Sequence, residues 1–105
     1  MLTSSDIGAA GEKIVSAALT NLGYSCYRNT QQPGSTDIEA RGQTKTLLVQ
    51  VKTSLYPDHP ADLSGEERRN ITSRATRLGY EAWQAKVQIN DDEELVGEIK
   101  WLKLN

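Results

Sequence analysis

A chain of 105 residues has room for one compact domain, residues 1–105, and not for two. Hydrophobic residues at 37% and charged residues at 25% suit a folded globule and exclude a disordered tail. A net charge of −2 excludes a protein that holds nucleic acid by bulk charge alone, though not an enzyme whose basic residues are gathered on one surface. Phe is absent, so the core falls to Leu, Ile, Val and Ala, with two Trp and four Tyr. Such a core is thin, and a subunit interface that adds burial is expected. Cys26 is the sole cysteine, which rules out a disulfide within the chain and argues against a Cys-based zinc site. His59, flanked by Pro57 and Pro60, reads as a surface-loop residue. No apolar run approaches the ~18 residues that cross a bilayer. The opening MLTSSDIGAAGEK lacks the basic-then-apolar pattern of a signal peptide, so a cytoplasmic protein is expected.

The first predicted element is a helix over residues 5–22, capped by Ser4 or Ser5 and ended by Gly23. At 100° per residue, Ile7, Gly11, Ile14, Val15, Ala18 and Leu22 share one arc, and Glu12 lies just outside it. Three segments with strand character follow, over 24–28, 36–41 and 46–53. Turn formers at 31–34 separate the first two, and Arg41-Gly42-Gln43-Thr44 makes a hairpin of the second and third. A proline-bearing loop over 56–62 leads to a second helix, with Ser64 as cap and Glu67 completing a capping box, ending at Gly79. Ile71, Ala75 and Leu78 share its apolar face, with Arg69, Arg74 and Arg77 opposite. Strands over 82–89 and 96–104, joined by the acidic 90–94 turn, complete the order α-β-β-β-α-β-β. The expected fold is α/β, a mixed central sheet flanked by helices. Trp83 and Trp101 read as core or interface residues rather than platforms for bases.

Chemistry concentrates at the hairpin. Pairing about Gln43 sets position 37 opposite 49 or 50. Gln50 and Lys52 share parity, so both point to one face, with Val49 and Val51 turned to the core. Asp37, Gln50 and Lys52 are thereby expected to converge. A carboxylate beside an amide oxygen makes a hard-oxygen cup suited to Mg²⁺, with Mn²⁺ as a substitute, and a main-chain carbonyl near Val51 adds a further ligand. A lysine beside such a cation can orient water or stabilise charge on a phosphate.

Gly11-Glu12 in the first helix, Ser35-Thr36-Asp37-Ile38 and Val49-Gln50-Val51-Lys52 together resemble the PD-(D/E)XK nuclease superfamily, with its restriction-endonuclease-like fold. Within it the chain is most similar to archaeal-type Holliday junction resolvases and Mrr-like nucleases. The likeness continues through Leu63-Ser64, Arg74-Ala75, Leu78-Gly79 and Ala82-Trp83-Gln84-Ala85. The resemblance implies a metal-binding role for Asp37, a catalytic role for Lys52, and a metal-completing role for Glu12, often through water. It also implies an auxiliary catalytic serine at Ser35. Gln50 stands where the family usually has Glu or Asp, a departure shared with Mrr-like branches, and it makes the site less negative by one charge.

The implied activity is metal-dependent DNA endonuclease, junction-selective and therefore homodimeric, since symmetric cleavage of two strands needs two sites. A restriction- or homing-type duplex nuclease and a non-catalytic DNA-binding subunit of the same fold are the alternatives. Arg28, Lys45, Arg69, Arg74 and Arg77 are the candidate DNA contacts.

Overall fold

The protein is described by a computed structural model that covers residues 1–28 and 37–105. The turn expected at 31–34, the start of the second strand at Thr36, and Ser35 lie outside the described residues. Among the described residues seven elements follow in the predicted order: α1 (Ser4–Asn21), β1 (Ser25–Arg28), β2 (Ile38–Arg41), β3 (Thr46–Leu55), α2 (Gly65–Leu78), β4 (Glu81–Ile89) and β5 (Lys100–Lys103). The strands form one sheet in the order β1-β2-β3-β4-β5. Neighbours run antiparallel except β3 and β4, which are parallel because α2 forms the crossover between them.

Both helices begin with a capping box. For α1 the cap is Thr3, one residue ahead of the expected serines, because Asp6 is placed to return a bond to the Thr3 N–H. For α2 it is Ser64 with Glu67, as the sequence suggests. Gly79 closes α2 in the left-handed conformation, φ 75°, which glycine adopts without the Cβ penalty.

Alternation along β3 runs as expected, but both faces are covered. Leu47, Val49 and Val51 pack with Ala10, Val15 and Leu19 of α1, and with Ile38, Ala40, Ala85 and Val87 of the sheet. Leu48 packs on the other face with Ile71 and Ala75 of α2 and with Ala82. Gln50 and its β4 neighbour Gln84 are therefore buried, each 6% exposed, rather than set on an open face. The central strand is covered on both sides, as parallel pairs usually are.

The apolar arcs of the helices sit slightly differently from the periodicity. On α1 the buried line is Ala10, Gly11, Val15 and Leu19, while Ile7 and Ile14 are half-buried and Leu22 is exposed. Leu78 of α2 is exposed as well. Both outlying leucines lie in the last turn or at the cap of their helix. Trp83 is half-buried and meets the exposed Trp101 edge-on, with centroids 6.5 Å apart. Among the described residues, no helix is long and apolar enough to cross a membrane.

Candidate active site

The β2–β3 register settles the position of Asp37. Ile38 pairs with Val49, so extending the ladder by one residue sets Asp37 opposite Gln50, on the Gln50 and Lys52 face. The carboxylate is anchored: Asp37 Oδ2 accepts from the Val51 backbone N–H at 2.8 Å. Burial pushes the Asp37 carboxyl up to about 6, against the pull of the Val51 bond; Glu12 raises it further, Lys52 lowers it and Glu67 raises it. Charges from α1, β3 and α2 thus meet at this one group.

Glu12 reaches the site because its helix comes unusually close to β3. A Cβ built on Gly11 would lie 1.8 Å from Thr53 Oγ1, so only glycine permits this approach. The Thr53 hydroxyl is buried there with no hydrogen-bond partner among the described residues. Gly11→Ala must therefore separate α1 from β3. We expect a loss of roughly 1–3 kcal/mol from overpacking, together with retreat of Glu12 from Asp37. A denaturant melt of the variant checks this, and unchanged stability would contradict it.

Lys52 is half-buried near the end of β3, and its ammonium bonds to Glu67 rather than to Asp37. Nζ lies 2.8 Å from Glu67 Oε2. Glu67 Oε1 meanwhile accepts from the Ser64 N–H at 2.9 Å. The bond from Lys52, and then that from Ser64, hold the Glu67 carboxyl below its ordinary range. Glu67 is the one residue of this cluster that the sequence marks only as a helix cap. The Ser-x-x-Glu signature could have flagged it, but not its reach across to β3. The expected convergence of Asp37, Gln50 and Lys52 therefore needs an amendment. The backbone brings them to one face and one end of the hairpin, while the lysine is committed to a fourth side chain.

The candidate DNA contacts are dispersed. Arg28 lies 3.5 Å from Glu12 and Lys45 lies 3.4 Å from Glu81, so both are engaged by carboxylates. Arg69 and Arg77 are exposed on α2, with Arg77 in its last turn, and Arg74 is half-buried.

Among the described residues, no group of three or more His, Cys, Asp or Glu side chains is arranged to hold a metal ion. The donor set still fits Mg²⁺, which is commonly bound through one or two carboxylates with waters and substrate phosphates completing the shell. Asp37 and Glu12 provide two such groups, and Gln50 and the Val51 carbonyl provide neutral oxygens. A half-buried carboxylate whose proton affinity is raised by desolvation and acidic neighbours is one that a cation would stabilise.

No family model and no curated protein matches the sequence. Among solved structures, the chain is similar to Hjc, a Holliday junction resolvase from the archaeal hyperthermophile Archaeoglobus fulgidus, at a TM-score of 0.72 and 21% identity, over 92% of this chain and 72% of that one. At that identity the likeness speaks to the fold. The chain thus shares the fold of that structure, a mixed five-stranded sheet with two helices in the restriction-endonuclease-like arrangement.

Proposed function

We propose that the chain is a divalent-metal-dependent endonuclease that hydrolyses DNA phosphodiester bonds, with branched junctions as its preferred substrate. The observation that carries this reading is the Asp37 carboxylate, half-buried and anchored on Val51, with Glu12, Gln50 and Lys52 around the same end of the hairpin. The fold shared with a junction resolvase supports the choice of substrate.

Asp37, the Gln50 amide oxygen and the Val51 carbonyl would hold Mg²⁺ or Mn²⁺, with Glu12 acting through water. The cation, when bound, supplies Lewis acidity toward a phosphoryl oxygen and a more acidic water. The chain's own residues do the rest. Asp37, oriented by the bond it accepts from the Val51 N–H, would hold the cation at this strand. Lys52 offers an ammonium to the charge that builds on the phosphate. The exposed Arg69 and Arg77, with Arg74 on the same helix, offer phosphate contacts along α2, Arg69 near the helix start that carries Glu67 and Arg77 in its last turn. Cutting a junction symmetrically requires two copies of the site, hence a homodimer.

A labelled four-way junction incubated with Mg²⁺, beside a linear duplex of the same sequence, tests the proposal. Junction cleavage that chelation stops is the expected outcome. Equal cutting of both substrates would remove the junction preference. Binding without cleavage in either Mg²⁺ or Mn²⁺ would favour the second reading, a DNA-holding subunit. The neutral, buried Gln50 in the family's acidic position is what recommends that alternative.

A further inference from the structure

Lys52 has a long, flexible side chain, and immobilising one costs rotamer entropy. A lysine that must meet a reacting phosphate gains from being held beforehand. The structure provides a holder. Glu67 Oε2 takes the ammonium at 2.8 Å, while Oε1 is fixed at 2.9 Å by the Ser64 N–H. The Glu67 backbone N–H in turn donates to Ser64 Oγ at 3.1 Å. This helix start is itself attached to the sheet, because the Leu63 N–H donates to the buried Gln84 Oε1 at 3.5 Å. Gln84 is the β4 partner of Gln50. A run of bonds therefore leads from the sheet under the site, through the cap of α2, back to the ammonium. An ordinary capping box needs only the bond to the N-cap N–H. Here the second carboxylate oxygen is spent on a lysine 15 residues away in sequence.

We propose that Glu67 is a positioning residue, which holds the Lys52 ammonium at the reactive end of β3 while it caps α2. The proposal rests on the reading of Lys52 as part of a nuclease site. It adds a role that the motif itself does not contain.

Glu67→Gln separates the two duties. Glutamine serves equally at this position of a capping box, so α2 keeps its cap. Its single carbonyl oxygen is then taken by Ser64, and its NH₂ group cannot accept from an ammonium. We expect kcat to fall roughly 10–100-fold, with KM for the junction unchanged within about twofold. In a Lys52→Met background the same substitution should change the residual rate by less than about twofold, because the two side chains act as one unit. Ser64→Ala, which weakens the cap but leaves the Lys52–Glu67 pair, should lower the melting temperature while keeping kcat. A loss in KM alone, an equal loss in the Lys52→Met background, or an equally deep kcat loss from Ser64→Ala would overturn the proposal. If the wild-type chain cuts no DNA, the nuclease reading fails while the positioning claim remains open to test by ¹⁵N NMR. A slowly exchanging Lys52 ammonium cross-peak, present in wild type and absent in Glu67→Gln, supports it. The same peak in both proteins, or in neither, overturns it.

Discussion

Replacing Asp37 with Asn is expected to end cleavage and, at neutral pH, to make the protein more stable. The sign follows from the direction of the shift. Asp37 has its carboxyl raised from 3.8 to about 6 by burial, so the fold favours its protonated form. Stability from this group is full below pH ~4, falls as pH rises through about 6, and stays reduced above that. The shift corresponds to at most about 3 kcal/mol, and partial solvent access reduces it to about 1–2 kcal/mol. Asparagine keeps an oxygen for the Val51 N–H and carries no charge to bury. The variant should melt ~5–10 °C higher than wild type at pH 8, and the gain should vanish near pH 3.5–4. Thermal melts of both proteins across this range check it. A constant difference at all pH values would mean that the charge on Asp37 is not the cause.

The second large effect is expected from Gln50→Glu. Position 50 is 6% exposed and is the position that a one-residue extension of the β2–β3 ladder sets opposite Asp37. A second carboxylate there faces a first that is already strained by burial, so the metal-free variant should lose roughly 1–3 kcal/mol at neutral pH. Mg²⁺ should then stabilise the variant more than wild type, because binding to the folded state adds RT ln(1 + [L]/Kd) to stability. Melting curves with and without millimolar Mg²⁺ give the comparison. If Mg²⁺ shifts both proteins equally, Gln50 does not face the cation.

The parts of this picture visible in the sequence are those set by local periodicity and turn chemistry. The Gly42 hairpin with strict alternation sets which side chains of β3 share a face, so Asp37, Gln50 and Lys52 could be grouped from spacing alone. The Ser64–Glu67 box and Gly79 likewise delimit α2. What periodicity does not carry is the meeting of distant elements. The Lys52–Glu67 bond exists because the crossover lays the start of α2 over the end of β3, and neither segment signals the other. Gly11 could be read as part of a motif, but its reason, the Thr53 side chain pressed against it, is tertiary. The last strand was expected over 96–104 and spans Lys100–Lys103, since Gly97 turns the chain at φ 73° before regular pairing begins. Arg28 and Lys45 read in sequence as candidate DNA contacts, yet each has a carboxylate within reach in the fold.

The central claim is that Asp37 anchors a cation-dependent phosphodiesterase site. Single-turnover cleavage of a four-way junction in Mg²⁺, by wild type and by Asp37→Asn at matched protein folding and DNA binding, tests it most directly. The account predicts cutting by wild type and none above background by the variant. Full activity in the variant would contradict it.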